Sequence, residues 1–493
     1  MATDAAHAAA RMAHVAAGLA ASLDPEEQAW LVGGAVRDLI LGDPSSDFDV
    51  AVRGDAERLA RRFADGLDGA FFTYSQVFST FRVVLPDGSI DVSPLRGGDL
   101  AADLAGRDFT VNAIALPVAP AAALSQAPGA AWPAAGGLAG KLSRLLVDPL
   151  HGSDDLADRR LRTCSPSAFR DDPVRVLRLA RMGAGWSLAA DGPVMASASA
   201  AVPGLQSCSA ERQAHEMTAL LGLPQPDVAV RLLDDVGALE AVLPEMSALK
   251  GCDQNPYHHL DVFGHTLEAL AHLNPIVRQL GGEGLLVPPE ACGLPGAARS
   301  APLAWAVLLH DIGKPVVRRV GEEGQVIFWR HDELGALMAE EIAARLHMSR
   351  RFGVFLRTLV LNHLRLGFLS REVPLTQRAL VRYRRAVEPY VFESVVLSLA
   401  DRMATRGEKT SGKAIARHFR LARLVWLQMP RQSRPLPLDG RDVMDLLGID
   451  EGPVVGEAIA FLREEVDAGE VAGADDARAL LLDWWREREA ADA

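Results

Sequence analysis

The chain has 493 residues, 49% of them apolar and 23% charged, with a formal net charge of −13, and this length calls for two to four domains rather than one core. Its apolar runs are broken by charge or Pro before the roughly 18 residues a membrane span needs, and its four cysteines, Cys164, Cys208, Cys252 and Cys292, are scattered with no CxxC pair. These features argue against a membrane protein, a disulfide framework and a thiolate zinc site, and lead us to expect a soluble, cytoplasmic protein whose cysteines are small buried side chains.

Residues 1–22 are Ala-rich and helical in pattern, but carry Asp4, His7, Arg11 and His14 where a secretion signal has a basic start and an apolar core. The next segment, LVGGAVRDLILGDPSSDFDVAV (31–52), places Gly33 and Gly34 before a helix starting near Ala35 and then two aspartates one residue apart. Strand signals follow at FDVAV (48–52), AFFTYS (70–75), STFRVVL (79–85) and SIDVSPL (89–95). Helical patterns between them make an α/β or α+β domain to about residue 150. The Ala-, Pro- and Gly-rich stretch from Pro117 to Gly140 reads as a surface loop or insertion.

On a strand, Asp47 and Asp49 project to one side while Phe48 enters the core. Two such carboxylates repel unless a cation lies between them, and Mg²⁺ suits hard oxygen ligands combined with substrate phosphates. A DxD pair alone also arises by chance and marks strand ends. The helix start near Ala35 offers backbone amides to a phosphate, with Arg37 adding charge. Asp91, on a strand expected to return beside the first, offers a third carboxylate. Three acids and two metals suit in-line phosphoryl or nucleotidyl transfer.

From Asp154 onward, apolar residues recur at three- and four-residue spacings, so the remainder should be mostly helical. Residues 273–302 read as a long loop between two helices. The net acidity hides an uneven distribution: between Arg345 and Arg434 there are 19 Lys and Arg against five Asp and Glu. A second basic group comprises Arg159, Arg160, Arg162, Arg170, Arg175, Arg178 and Arg181. Each reads either as a solvated face or as a surface for a polyanion.

Segment 31–52 is similar to the first motif of the class II tRNA nucleotidyltransferase and bacterial poly(A) polymerase family. GRDFTVNAIAL (106–116), DPLHGSDDL (148–156), DDPVRVLRLAR (171–181) and ERQAHEM (211–217) resemble that family's later motifs and keep their order. The resemblance implies an α+β nucleotidyltransferase head, a mixed sheet with helices, followed by an all-α neck, body and tail. It implies metal binding by Asp47 and Asp49 with Asp91 as third carboxylate, and triphosphate binding by Gly33, Gly34 and Arg37. Phosphate and ribose contacts fall to Arg107, Asp108 and Asn112, with Arg178 also at the nucleotide. Asp172 and Arg175, three apart on a predicted helix, would share a face and read the Watson–Crick edge of the incoming nucleotide; an i,i+3 surface ion pair is the alternative. Two departures from the family pattern are Asp171, where Glu is usual, and Gly106, where Arg or Lys is usual. The segment before FRVVL lacks a basic run and is closer to the CCA-adding pattern than to poly(A) polymerases, with CC-only and A-only addition left open.

Further on, His265, the His310–Asp311 pair and Asp401 form an ordered set in apolar helical settings that resembles the HD phosphohydrolase superfamily. An HD dipeptide alone means little, and His331–Asp332 is a second copy. The resemblance implies a divalent metal, Mn²⁺, Ni²⁺, Fe²⁺ or Mg²⁺, with Lys314 placed to neutralise phosphate. His331 and His363 either complete a second metal site or simply pack. Near the end, residues 438–471 resemble the family's tail, where Gly452 and Gly456 at a helix start either approach RNA backbone or belong to a closing hairpin.

The expected layout is a head at 1–155, a neck and body at 156–248, an HD domain at 249–410 and a helical tail at 411–493. The expected activity is template-independent addition of CMP and AMP, from CTP and ATP, to tRNA 3′ ends, with no protein partner. A poly(A) polymerase is the near rival; an HD phosphohydrolase with an RNA-binding head is the rival of another class.

Overall fold

Alternating burial along residues 47–53 builds the centre of the N-terminal sheet: Phe48 is 2% exposed while Asp47 and Asp49 on either side face out. The computed structural model describes residues 2–42, 47–76, 79–86, 88–125, 143–369, 376–428 and 435–492. They fall into two units, 1–209 with 232–241, and 210–231 with 242–493.

The first unit holds six strands, β1 (Gln28–Val32), β2 (Asp47–Arg53), β3 (Ala70–Ser75), β4 (Thr80–Leu85), β5 (Gly88–Pro94) and β6 (Ala115–Pro117), in the order β3-β4-β5-β2-β1-β6. β2 runs parallel to β5, and every other pairing is antiparallel. Past Asp49 the alternation along β2 stops, because Val50, Ala51 and Val52 are covered on both faces. Helix Ala56–Leu67 starts on Asp55, whose side chain accepts from the Arg58 amide at 3.0 Å. Its inner face buries Leu59 and Phe63 completely, each side chain contributing about 2 kcal/mol. Strands β1 and β6 have no counterpart in the sequence reading: they are five and three residues long, too short to carry a period of their own beside the helical signals that flank them.

The remainder is helical, as expected, with one two-stranded hairpin, β7 (Arg319–Val320) and β8 (Val326–Ile327), after residue 154 among the described residues. Three expectations need correction. Residues 273–280 are not loop but the last turns of helix Val262–Leu280, which contains Pro275. Burial of Leu273, Ile276 and Val277 outweighs the turn preference of Asn-Pro, and the Asn274 amide is tied to the carbonyls of Leu223 and Pro224 at 3.0 Å. The stretch expected as loop from Pro117 begins with helix Val118–Ser125; its residues 126–140 lie outside the described ones. Residues 350–369 are apolar and long enough to cross a membrane by composition, contrary to the expectation that no run is. More than half of that window is buried, and Phe352, Phe355, Leu356, Leu359 and Val360 are core.

The DPLHGSDDL segment acts as a brace. Asp148 accepts from the amides of Gly152 and Ser153 at 2.7 and 2.8 Å. Fully buried Asp155 accepts from the Thr110 hydroxyl at 2.6 Å and from Arg162 Nε at 2.8 Å. This packing leaves no room for a side chain at residue 152, since a Cβ there would sit 2.0 Å from the Thr110 carbonyl oxygen. We therefore expect Gly152→Ala to destabilise the first unit by about 1–3 kcal/mol, read as a lower urea midpoint for that unit by near-UV circular dichroism. An unchanged midpoint would show that this close approach is not maintained in solution.

Candidate active site of the head and a second ligand cluster

The backbone turn that ends β1 approaches the acidic edge of β2 so closely that only glycine fits. Gly33 has φ +75°, and a Cβ there would lie 2.9 Å from Asp49 Oδ2 and 3.2 Å from Arg107 Nη1. The parallel register sets Asp49 opposite Asp91, so three carboxylates from two neighbouring strands gather at one edge of the sheet. Asp47 accepts from the Ser89 hydroxyl at 2.8 Å. Both oxygens of Asp91 are taken by the guanidinium fork of Arg82, at 2.7 Å each, and Tyr74 stacks on that guanidinium at 3.9 Å. Asp49 sits in a recess that opens on solvent. Desolvation raises its pKa, Arg107 opposes the rise, and Asp91 and Asp47 add to it. A carboxylate set of this kind, hard in its oxygens and crowded in its charge, fits Mg²⁺.

Beside it lies a polar network. Arg37 is 6% exposed, stacked on Trp186 at 3.8 Å and paired with Asp38, and it donates to Asn112 Oδ1 at 2.7 Å. Asn112 donates to Asp108 at 3.1 Å, and Arg178 donates to the other Asp108 oxygen at 3.0 Å. Burial alone would raise the Asp108 pKa, but Arg178, Asn112 and the Phe109 amide hold it below the usual range. It therefore remains an ionised acceptor. Asp49, Asp91 and the network share an open cavity of about 580 Å³ also lined by Gly33, Gly34 and six arginines: Arg37, Arg96, Arg107, Arg175, Arg178 and Arg181. Arg82 and Arg96 were not anticipated; both are lone arginines in strand or loop sequence, with no motif to single them out.

Asp172 and Arg175 do not share a helix, contrary to expectation. Pro173 drives Asp172 into extended backbone, φ −148° and ψ 94°, so helix Ala168–Asp171 stops and helix Arg175–Trp186 begins afresh. Their side chains are still near one another, 3.9 Å from Arg175 Nε to Asp172 Oδ2. Arg175 also donates to the carbonyls of Gly106, Arg107 and Ala168 at 2.9–3.3 Å, which fixes its place on the cavity wall.

The basic stretches are less available than their composition suggests. Arg160 and Arg162 are paired with Asp155. Seven arginines of the later stretch, at 345, 357, 378, 382, 384, 385 and 406, are in ion pairs within the second unit.

In the second unit, His265, His310, Asp311 and Asp401 come together, and His331 and His363 join them. Four imidazoles share one arrangement. Nδ1 of His265, His310, His331 and His363 faces a backbone carbonyl at 2.6–3.3 Å, those of Ala404, Val307, Phe328 and Val360. A carbonyl only accepts, so Nδ1 carries the proton and Nε2 presents a lone pair. All four Nε2 atoms are buried without a hydrogen-bond partner and lie 3.1–3.7 Å from Asp311 oxygens. Lone pairs facing a carboxylate at that range are what a divalent cation between them would hold in place. The ligand atoms form three overlapping trios, each within 4.8 Å: His258, His265 and Asp401; His265, His310 and Asp311; Asp311, His331 and His363. His258, in PYHHL, was not anticipated, because it lies in a loop without periodicity.

Burial pushes the His363 pKa down to about 3, helped by His331 and His310, so its ring is neutral at pH 7. For His310, burial is outweighed by Asp311, and the net shift is upward. Asp311 is held well below the usual carboxylate range against its own burial by His310 and Lys314, whose Nζ donates to it at 2.7 Å.

Comparison with known proteins agrees with this geometry. Residues 29–162 match the poly(A) polymerase head domain, residues 194–250 the probable RNA- and SrmB-binding site of polymerase A, and residues 262–406 the HD domain. An A-adding tRNA nucleotidyltransferase of Deinococcus radiodurans is 33% identical over 470 residues, which cover 93% of this chain and 96% of that protein. A CC-adding tRNA nucleotidyltransferase of Thermus thermophilus is 33% identical over 473 residues, 94% and 95% of the two chains. A solved CCA-adding enzyme in complex with ATP shares the fold with a TM-score of 0.59 at 18% identity, over 96% of this chain and 95% of that one. A Thermotoga maritima CCA-adding enzyme complexed with tRNA does so with a TM-score of 0.55 at 19% identity, over 96% and 94%. With curated relatives matched along nearly their whole length, this chain belongs to the tRNA nucleotidyltransferase family, as a nucleotidyltransferase with a poly(A) polymerase-type head and an HD domain.

Proposed function

We propose that the head adds CMP, AMP or both to tRNA 3′ ends from CTP and ATP, releasing pyrophosphate in the cytoplasm. The observation that carries this reading is that Asp49 and Asp91, with Asp47 beside them on β2, open onto an arginine-lined cavity of nucleotide size. Asp47 and Asp49 would hold Mg²⁺, which when bound supplies charge neutralisation at the reacting phosphates and at the attacking hydroxyl. Asp91 would take the proton of the terminal ribose hydroxyl, which requires Arg82 to release one of its oxygens. The hydroxyl oxygen then attacks the α-phosphorus, and the departing pyrophosphate is met by Gly33, Gly34, Arg37 and Arg107. Asp108 and Asn112 would accept from and donate to the ribose, with Arg178 holding Asp108 ionised. Asp172 and Arg175 would pair with the edge of the base; support comes from their proximity and from Arg175's place on the cavity wall.

The named relatives divide the work, one adding A and the other CC, and the departures at Gly106 and Asp171 border the region proposed to choose the nucleotide. For the HD domain we propose hydrolysis of phosphate esters, with His265, His310, Asp311 and Asp401 holding one divalent metal such as Mn²⁺, Ni²⁺, Fe²⁺ or Mg²⁺. His331 and His363, with Asp311 shared, would hold a second; four lone pairs without hydrogen-bond partners support two ions better than packing alone.

The head is tested with synthetic tRNAs lacking all three terminal nucleotides, lacking only the last, or complete, given Mg²⁺ and labelled CTP or ATP. Growth that stops at a defined end supports the proposal and tells full from partial addition, while long A tails would make the protein a poly(A) polymerase and no growth would sink the reading. Asp47→Ala and Asp49→Ala should each lose more than about 4 kcal/mol of transition-state stabilisation, roughly a thousandfold in rate. Arg175→Ala should lower discrimination against UTP and GTP by about tenfold or more.

The metal cluster is tested by calorimetry on chelator-treated protein titrated with Mn²⁺. Asp311 raises the His310 pKa, so a proton competes with the metal for the Nε2 lone pair of that ring and is released on binding. Affinity should therefore rise with pH, and the measured heat should change with the buffer's ionisation enthalpy. Asp311→Ala should abolish the binding, and retention of full affinity in that variant would refute the cluster.

A further inference from the structure

Both oxygens of Asp91 are engaged at the point where a proton acceptor is needed. Arg82 and Asp91 stand directly opposite one another in the antiparallel register of β4 and β5. The guanidinium takes one carboxylate oxygen with Nε and the other with Nη2, each at 2.7 Å, and a charged fork of this kind is among the stronger hydrogen-bonded pairs. Its remaining nitrogen, Nη1, has no acceptor among the described residues, and the Arg82 side chain keeps 32% of its surface exposed. Tyr74 stacks on the guanidinium at 3.9 Å. Phe72 lies across from Arg82 in the register of β3 with β4, and both aromatics are more than half exposed. A cation beside solvent-facing rings suits an unpaired RNA strand better than it suits a core.

The order of the sheet decides which phosphate can reach Arg82. Along β4-β5-β2-β1, the acids of β5 and β2 separate Arg82 from Gly33 and Arg107, which meet beside the end of β1. In an in-line displacement the attacking and leaving oxygens lie on opposite sides of the phosphorus. With the pyrophosphate at Gly33, Gly34, Arg37 and Arg107, the attacking strand enters from the β4 side, where Tyr74, Ser75 and Thr80 line the cavity. The phosphate next to Arg82 is then the last internucleotide phosphate of that strand, not part of the triphosphate.

We infer that Arg82 is a positioning residue that exchanges anions: it holds both oxygens of Asp91 in the free protein and gives one up when the last internucleotide phosphate of the bound 3′ end engages its Nη1 edge. The inference rests on the role proposed for Asp91. The exchange ties the unmasking of the proton acceptor to the arrival of the strand that carries the proton. A guanidinium suits the task because its five donors can serve two anions at once, while Tyr74 covers its face throughout.

The test measures binding without catalysis, using full-length protein in EDTA and the fluorescence anisotropy of a labelled tRNA lacking only its last nucleotide. Asp91→Asn removes the competing charge and should tighten binding about fivefold while Arg82 is present, but about twofold at most when combined with Arg82→Gln. Arg82→Lys, which keeps the charge, should restore part of the gain. A tRNA trimmed of its unpaired 3′ nucleotides should show no gain from Asp91→Asn, and neither should ATP. A gain that persists in Arg82→Gln would reduce the effect to general repulsion by Asp91. No gain in either background would mean that no exchange occurs, and a gain for ATP alone would give Arg82 to the triphosphate. Each of these outcomes overturns the inference and leaves the transferase reading intact, whereas absence of tRNA binding by every form would refute both.

Discussion

The parallel pairing of β2 with β5 is the constraint on which the head depends. It sets Asp91 directly across from Asp49, and the pleat of β2 adds Asp47 on the same side. Three carboxylates gathered in this way repel one another, so the surroundings must supply positive charge. Arg82 and Arg107 supply it in the structure described here, Arg82 by engaging both oxygens of Asp91. The cavity next to the acids is arginine-lined for a related reason. A triphosphate brought to this edge needs cations that are already in place, and Arg37, stacked on Trp186 and bonded to Asn112, is held as part of a wall instead of moving freely in solvent.

The second unit meets a comparable electrostatic problem with different chemistry. Its acids are balanced by imidazoles, and the decisive feature is the tautomer. Each of four Nδ1 atoms is committed to a backbone carbonyl, leaving each Nε2 lone pair directed at the cluster. This arrangement is costly for an empty protein interior, because buried polar atoms without partners lose their hydration with nothing in return. It becomes favourable when a cation accepts those lone pairs. The oxygen-only set in the head and the mixed nitrogen and oxygen set here therefore favour different ions.

Charge along the chain is a poor guide to where a polyanion would lie. The later basic stretch looks continuous in sequence, yet Arg378, Arg382 and Arg385 are paired with Glu465, Glu464 and Asp467 of helix Pro453–Ala468 in the tail. Those pairs draw the tail helix onto helix Gln377–Val387. Arg160 and Arg162 similarly brace Asp155. Of the earlier basic group, Arg175, Arg178 and Arg181 do line the cavity of the first unit, and they recur every three residues along a single helix.

Much of this was legible in sequence because it is local. Residue type and period along the chain determined that β2 would turn Asp47 and Asp49 out and Phe48 in, and that strands would yield to helices after residue 154; His310–Asp311, expected in an apolar helical setting, lie directly past the end of apolar helix Ala301–Leu309. Even the break at Asp172 was a local matter, since Pro173 dictates it, although the helical period on either side concealed it. Only the tertiary structure decided what depends on partners distant in the chain. It chose Asp155 as the partner of Thr110 and Arg162, placed Arg82 on Asp91, and made Pro275 part of a helix because its neighbours are buried. It also selected the tautomer of each imidazole and brought His258, His331 and His363 to the same cluster. Local preferences amount to fractions of a kcal/mol to a few kcal/mol per residue, so burial and buried charge pairing, which act between segments far apart in sequence, settle the positions where the two disagree.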